Sequence, residues 1–453
     1  MSLAILADVL KAPLVGADAV FTGVSTDTRA LKAGELFVAI TGPHHDGHSF
    51  LSEAIAAGAA GAVLGRAVET TLPYVRVADT RRALGDLAAF WRCQFAIPVI
   101  AVTGSNGKTT VKEMIGAIMA QAGPGCVTRG NLNNDIGVPL TLTCLRAKDK
   151  YAVIEMGMNH KGEIEYLSRL TRPTIALITN AAEAHLAGVG TVEDVARAKG
   201  EIFAGLAEDG VAILNADDPH CALWKSLAAP HRCLTFGFAP PADVRAEYTL
   251  GAAGSRIRLK TTQGEIEMRL SLLGRHNALN AAAASAAALE AGASLPDVQR
   301  ALERVKPAAG RLELKEGISG ARVLDDTYNA NPASLAAGLE ALREFPGERV
   351  LVLGDMAELG PAAEDIHRRV GELARRLDLK RLYAIGELAR LAVERFGRGG
   401  RHFDSHEALI EALQDVMHGD MTLLIKGSRV MHLERVVTGI VRAKADQAAA
   451  EEN

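Results

Sequence analysis

Eight residues constrain this chain more than any others: Thr103-Gly104-Ser105-Asn106-Gly107-Lys108-Thr109-Thr110. They follow the apolar run Val99-Ile100-Ala101-Val102 and lead into the helical pattern Val111-Lys112-Glu113-Met114-Ile115. That order of strand, glycine-bearing turn and helix is what a phosphate-binding loop requires. Backbone N–H groups at such a turn converge on one point, and the helix dipole favours an anion there. Lys108 adds a mobile positive charge for terminal phosphates, and the Thr109 hydroxyl is placed to ligate magnesium. The segment therefore predicts a bound nucleoside triphosphate. It departs from the common G-x-x-x-x-G-K-[ST] signature, because Val102 stands at the first glycine position and the glycine comes late, at Gly104. A chance Gly-Lys-Thr turn is the competing reading, and the flanking strand and helix disfavour it.

What the chain does with a triphosphate must come from elsewhere. At 453 residues it is too long for one ordinary core, so two to four domains are expected. Hydrophobic residues at 48% and charged residues at 23% fit a soluble globular protein. A net charge of −4 supplies no global drive toward nucleic acid or anionic membrane. The first residues, Met1 to Asp8, lack a basic segment ahead of their apolar positions, so no signal peptide is expected. The alanine-rich stretch from Ala278 to Ala293 is interrupted by Asn280 and Glu290, too short and weakly apolar for a bilayer span. Five scattered cysteines without C-x-x-C spacing predict buried thiols in a reducing cytoplasm, with neither disulfides nor a zinc site.

Three α/β regions are expected. Residues 1–82 mix short strands and helices: Leu36 to Ile40, helical Phe50 to Ala57, then Gly61 to Leu64. The boundary falls in a helix around Arg81 to Phe95. Residues 83–310 carry the phosphate loop and apolar strands at Tyr151 to Ile154, Thr174 to Ile178 and Val211 to Leu214, alternating with helices around a mostly parallel sheet. Residues 245–271 alternate polar and apolar, as an antiparallel insertion does. Residues 311–453 alternate again, with strands at Val323-Leu324, Val350 to Leu353, Leu382 to Ile385 and Leu423 to Ile425. Each of these runs stops at a polar or glycine-bearing turn, and open α/β sheets bind ligands at such carboxyl ends. The tail from Ala443 is expected to fray.

Polar residues at these strand ends are the candidates for chemistry. Glu155 closes the strand beside the phosphate loop, where a second magnesium contact is expected; a solvated strand-end acid is the plainer alternative. Asn180 and His185 follow the next strand at the same sheet edge. Lys199 lies in a helical stretch, and spacing alone reads it as a solvated lysine. His276, Asn277 and Asn280 sit at a helix start and suit hydrogen bonds to a base or ribose; N-capping by Asn277 competes. Arg311 begins the third region and could reach over a phosphate, or form an interdomain salt bridge. Asp325-Asp326-Thr327-Tyr328-Asn329-Ala330-Asn331-Pro332 puts two adjacent acids at a strand end, which turn chemistry alone does not easily explain.

Taken in order, these motifs resemble the Mur ligase family, the ATP-dependent amide-forming enzymes of peptidoglycan precursor synthesis. The resemblance spans nearly the whole chain and accounts for Val102, since the family's loop is shortened to T-G-S-N-G-K-T-T. It rests also on Glu155, the Asn180…His185 segment, A-K-G-E-I-F around Lys199, G-R-H-N-x-x-N from Gly274, and the Gly310-Arg311 pair. N-L-N-N-D-I-G-V-P from Asn131, D-D-T-Y-N-A-N-P, L-G-D-M-A-E-L-G from Leu353 and K-G-S-R from Lys426 resemble the member that adds D-alanyl-D-alanine to UDP-N-acetylmuramoyl-tripeptide.

The resemblance implies a three-domain α/β fold: a small UDP-substrate domain (1–82), a central parallel-sheet ATPase domain (83–310) and a C-terminal Rossmann-like domain (311–453). It implies that Thr103 to Thr110 hold ATP, together with His276, Asn277, Asn280, Arg311 and Asp326, the last on the ribose. Thr109, Glu155, His185 and a carbamylated Lys199 are implied to hold Mg2+. Catalytic parts fall to Lys108, Lys199, His185 and Arg311. Ser25, Thr26, Asp27, Arg29, Asp46 and His48 are implied for the UDP-sugar, and Asn134, Asn329 and Asn331 for the substrates. A monomeric cytoplasmic enzyme is implied, with no nucleic acid partner and no membrane insertion. One departure is local: Ala182-Glu183 stands where the family pattern has Gly-Pro, which predicts an altered loop. Another Mur ligase or folylpolyglutamate synthetase is the nearest rival, and D-D-T-Y-N-A-N-P and G-D-M-A-E-L-G argue against both. A guanine-nucleotide switch would need an N-K-x-D motif, which the chain lacks. A non-catalytic nucleotide-binding protein would bind ATP without substrate-dependent ADP release.

Overall fold

The computed structural model describes residues 1–42, 45–182, 189–251 and 254–442. The tail from Ala443 lies outside them. Three main sheets follow one another along the chain, and the fold is mixed α/β. The first sheet runs in the order Leu14–Val15, Tyr74–Arg76, Gly61–Leu64, Leu36–Val38, Val24–Ser25. Its strands are short. The strand expected through Ile40 stops at Val38, and Thr41–Gly42 pairs antiparallel with His45–Asp46 in a two-stranded sheet of its own. The helix expected from Phe50 begins at Leu51, after a 3-10 turn over Gly47–Phe50.

The central sheet has nine strands. From one edge they are Gly264–Leu270, Gly254–Thr261, Val244–Gly251, Arg232–Gly237, Val211–Asn215, Ile175–Ile178, Val99–Thr103, Ala152–Glu155 and Cys126–Val127. The strands from Cys126–Val127 through Val244–Gly251 pair parallel, and the last three form an antiparallel meander that extends the same sheet. Val99–Thr103 is an interior strand, third from the Cys126–Val127 edge, and is buried along its whole length. That double-sided burial explains its continuous apolar run. Each such Val or Ile contributes about 1.5–3 kcal/mol when taken out of water. The alanine-rich helix Arg275–Glu290 packs across this sheet with Ala278 and Ala281 to Ala284 fully buried. Small side chains on nearly every face let it lie close to its neighbours.

The third sheet runs Glu313–Glu316, Arg322–Asp326, Met421–Lys426, Glu348–Gly354, Arg381–Ile385, Gly400–Phe403; only the Glu313–Glu316 edge is antiparallel. Its middle strands end at one edge with Asp326, Lys426 and Gly354.

The helix Thr80–Arg92 joins the first two units. Leu84 and Leu87 pack into the first core with Leu3 and Leu6, while Ala88 packs into the second with Val99. Arg92 fixes its end by donating to the backbone carbonyls of Thr171 (2.9 Å), Phe95 (2.7 Å) and Arg172 (3.1 Å). The cysteines correct one expectation. All five are free, as expected, but only Cys126 is buried, and Cys93 and Cys144 are exposed. Among the described residues no helix is long and apolar enough to cross a membrane.

Candidate active site

A cavity of about 1390 Å³ opens where the three units meet. The phosphate loop forms one wall. Gly104 has φ +146°, and a Cβ there would lie 1.8 Å from Thr179 Oγ1. Gly107, at φ +81°, precedes the helix Lys108–Met119, and its Cβ would lie 2.5 Å from Asn280 Oδ1. Only glycine fits both turns.

The loop is held from behind by the next strand end. Ser105 N donates to Asn180 O (3.0 Å), Asn106 N donates to Asn180 Oδ1 (3.0 Å), and Asn180 Nδ2 donates to Asn106 O (3.1 Å). Asn180 thus shapes the loop. Ala182, the described half of the departure from the family pattern, pairs with Ser105: its N–H donates to Ser105 Oγ at 3.0 Å. His185 and Glu183 lie outside the described residues. Ser105 to Thr110 line the cavity, whereas Thr103 and Gly104 do not. Thr103 is a fully buried strand end whose hydroxyl donates to Met156 O at 2.9 Å.

Lys108 is pinned, where the sequence predicts a mobile charge. Its Nζ donates to Gly104 O (2.6 Å) and Ser105 O (3.4 Å), curling over its own loop. Burial pulls its pKa down, an effect that nearby Glu155 opposes. The Thr109 hydroxyl donates to Glu155 Oε1 at 3.3 Å, and Asn133 Nδ2 donates to the same oxygen at 2.8 Å. Glu155 Oε2 is buried with no hydrogen-bond partner. The plain solvated-acid reading of Glu155 therefore fails, since the residue is 1% exposed.

The solvated reading of Lys199 fails more completely. It ends the helix Val192–Gly200, is 0% exposed, and its Nζ has no hydrogen-bond partner. Burial, reinforced by the charge of Lys108, holds its pKa well below the usual lysine range. Burial thus favours the uncharged amine over the ammonium.

His276, Asn277 and Asn280 all line the cavity at the start of Arg275–Glu290. Asn277 is not the N-cap. Gly274 takes that position, and Asn277 Nδ2 donates to Leu273 O at 2.7 Å while its Oδ1 accepts from Asn280 Nδ2 at 3.1 Å. Burial lowers the His276 pKa to about 4, so its ring is neutral at physiological pH.

The third unit closes the cavity. Arg311 Nη2 donates to Thr109 Oγ1 at 3.2 Å, and its guanidinium lies 4.1 Å from the centre of the Tyr328 ring. The salt bridge weighed for Arg311 is replaced by these two contacts. Asp326 pairs with Lys426 at 2.5 Å, and Lys426 Nζ also donates to Asn329 O at 3.0 Å. Asp325, the neighbouring acid, pairs instead with Lys315 at 2.6 Å and accepts from the Thr327 hydroxyl. Asn331 caps the helix Pro332–Arg343 and reaches across to the phosphate loop, Nδ2 to Asn106 Oδ1 at 2.8 Å. Asn329 and Asn134 also line the cavity; Asn134 Oδ1 accepts from Gly137 N at 2.9 Å.

Six first-region candidates are not brought to this cavity: Ser25, Thr26, Asp27, Arg29, Asp46 and His48 do not line it. Four of them form local pairs. Arg29 grips Asp27 through Nε (2.9 Å) and Nη2 (2.8 Å), and His48 Nδ1 lies 2.6 Å from Asp46. The first region reaches the cavity through Asp79, Arg81 and Arg82 instead, with Arg81 paired to Asp135 at 3.0 Å. Sequence reasoning missed these and Lys112, and it gave no individual role to Asn133 or Lys426 although it quoted the motifs that contain them. The available signal for the lysines was a cation placed inside, or closing, an apolar run.

The donors fit magnesium. Among the described residues no three His, Cys, Asp or Glu side chains converge on a metal position. Thr109 and Glu155 offer oxygen, and Mg2+ is commonly held by one or two carboxylates plus substrate phosphates. The orphaned Glu155 Oε2 is a buried acceptor that a cation would satisfy.

Known proteins agree with this architecture. Residues 20–92 match the model described as Mur ligase family, catalytic domain; 102–288 match the Mur ligase middle domain; 310–429 match the Mur ligase, glutamate ligase domain. The chain is 42% identical over 447 residues to UDP-N-acetylmuramoyl-tripeptide--D-alanyl-D-alanine ligase of Escherichia coli K12, covering 97% of this chain and 98% of that one. Its fold superposes on crystalline MurF from Acinetobacter baumannii with a TM-score of 0.90 and 36% identity, covering 96% and 97% of the two chains. MurF ligase from Thermotoga maritima in complex with ADP gives a TM-score of 0.81 and 27% identity, covering 92% and 96%. The chain belongs to the Mur ligase family.

Proposed function

We propose that this chain joins D-alanyl-D-alanine to the terminal carboxylate of UDP-N-acetylmuramoyl-tripeptide, converting ATP to ADP and phosphate in cytoplasmic peptidoglycan precursor synthesis. The carrying observation is the convergence of Lys108, Thr109, Glu155 and Arg311 at a cavity walled by the phosphate loop and third-unit residues. The relatives whose names describe this ligation match the chain along almost its entire length. Labour divides among residues 1–82 for the UDP moiety, 83–310 for ATP, and 311–453 for closure and the incoming dipeptide.

The tripeptide carboxylate attacks the γ-phosphorus and ADP leaves, giving an acyl phosphate. The dipeptide amine then attacks the acyl carbon, loses a proton, and phosphate departs. Two anions must meet in the first step, so positive charge decides its rate. Lys108 leaves its carbonyl partners for the terminal phosphates. Arg311 moves from the Thr109 hydroxyl to the transferring phosphoryl group, freeing Thr109. Thr109, Glu155, His185 and a carbamylated Lys199 would hold Mg2+, which would supply further charge screening. Burial favours the uncharged form of the Lys199 amine, the form that adds to CO2, forming an N–C bond and releasing one proton; the carbamate so formed is an anion buried near Lys108. His276, Asn277 and Asn280 face the nucleotide, and Asp326, aligned by Lys426, accepts from the ribose. Asn134, Asn329 and Asn331 meet the two peptide substrates.

ADP release tests this reading. It should require UDP-tripeptide and D-alanyl-D-alanine together, and free D-alanine or glutamate should not replace the dipeptide. Equal turnover with glutamate would favour the folylpolyglutamate alternative and defeat the proposal.

A further inference from the structure

Lys112 is a buried charge that this chemistry leaves unused. It lies one helical turn beyond Lys108 in Lys108–Met119, and its side chain is fully buried. Its ammonium donates to Gly130 O at 3.0 Å, lies 2.9 Å from Glu113 Oε1, and stands 3.7 Å from Glu155 Oε2. That last distance is too long for a hydrogen bond. On the other side of the carboxylate, Oε1 takes the Asn133 amide. Asn133 O in turn accepts from Gly157 N at 2.8 Å. The loop over residues 129–135 is therefore fastened twice: to the phosphate-loop helix through Lys112, and to the Glu155 strand end through Asn133. Burying an ammonium is costly, and an apolar side chain of similar volume would fill the space without that cost. The charge at this depth does something that packing does not require.

We propose that Lys112 is a positioning residue for ligation, coupling the 129–135 loop to the carboxylate of Glu155. The inference rests on the functional reading above, in which Glu155 holds Mg2+ and Asn134 of this loop meets the muropeptide. Lys112 acts in two ways. It tethers Gly130, which keeps Asn133 and Asn134 in register with the phosphate loop. It also sets a fixed positive charge beside Glu155, which weakens the pull of that carboxylate on a divalent cation and keeps the carboxylate oriented toward Asn133 and Thr109.

Removing the charge and the tether should therefore move two quantities in opposite senses. In full-length Lys112→Met, the Mg2+ concentration giving half the thermal shift with a non-hydrolysable ATP analogue should fall about 3-fold or more, because the positive charge 3.7 Å from Glu155 Oε2, the proposed Mg2+ ligand, has gone. The KM for UDP-tripeptide should rise about 10-fold and kcat should drop by a similar factor, as loose positioning predicts. Lys112→Arg, which keeps the charge, should retain the wild-type Mg2+ midpoint. A merely structural lysine would lower the melting temperature and leave the Mg2+ midpoint unmoved; that result overturns the proposal. Should Lys112→Met not fold, hydrogen exchange on the wild type decides. Mg2+ with the ATP analogue should slow amide exchange across residues 129–135, and unchanged exchange there overturns the coupling. A wild-type chain without UDP-tripeptide-dependent ADP release defeats the functional reading itself. An active wild type beside an indistinguishable Lys112→Met defeats only this inference.

Discussion

Arg311 Nη2 donates to Thr109 Oγ1 at 3.2 Å, although the two residues are 202 positions apart, Thr109 in the first turn of the helix Lys108–Met119 and Arg311 just ahead of the strand Glu313–Glu316. The bond joins the arginine proposed to meet the transferred phosphate to the hydroxyl proposed to meet Mg2+. Each holds the other's place, and in the proposed mechanism the nucleotide separates them. The Asn331–Asn106 bond at 2.8 Å makes a second link across the same cleft.

Arg311→Ala should lower kcat by about 10²-fold, the typical loss when one preorganised donor to a developing charge is removed. Its KM for ATP should change little, since the loop and helix still hold the phosphates. Steady-state ADP release measures both. A kcat within twofold of wild type would remove Arg311 from the mechanism.

Lys199→Ala should lose ligation and recover part of it when acetate or formate is added, because a free carboxylate can stand in for the proposed carbamate. Its melting temperature should hold or rise in CO2-depleted buffer. There the wild-type amine is buried without a partner, a burden of about 1–3 kcal/mol. Full activity of the alanine variant would eliminate the carbamate.

Stability should fall on the acid side through His276. The unfolded ring titrates near 6.5 and the folded one at about 4, chiefly because burial disfavours the cation. Between those values the unfolded state binds more protons, so stability rises with pH there. The penalty for the buried cation is absent above pH 6.5, builds as pH falls and is complete below about pH 4; at about 1.4 kcal/mol per unit it reaches roughly 3.5 kcal/mol. Urea midpoints between pH 7 and 4 should show this slope, and His276→Gln should flatten it. Identical slopes for the two chains would contradict the assignment.

The residues that were readable from sequence are those where one pattern ends and another begins. Val99 to Val102 is apolar at every position because the strand is buried on both sides, and the polar loop after it marks the sheet edge. Glu155 and Asp326 were legible for the same reason, as acids closing apolar strands. Strands such as Leu14–Val15, Cys126–Val127 and Val24–Ser25 were not, being only two residues long and defined by neighbours. Arg232–Gly237 was also missed, and its mixed polar content hides it beside longer apolar runs. Lys199 and Lys112 show the sharper limit. A lysine on a helix reads as solvated, and only the packing of distant segments buries it. The resemblance of A-K-G-E-I-F to the family singled out Lys199; nothing in the pattern singled out Lys112.

The central claim is that ATP activates the tripeptide carboxylate as an acyl phosphate. Transfer of ¹⁸O tests it most directly. UDP-N-acetylmuramoyl-tripeptide labelled in its terminal carboxylate should be incubated with ATP, Mg2+, D-alanyl-D-alanine and the full chain, and the released phosphate analysed by mass spectrometry. The account predicts that one carboxylate oxygen appears in phosphate for each amide formed. Label recovered in AMP, or amide formed with unlabelled phosphate, would contradict it.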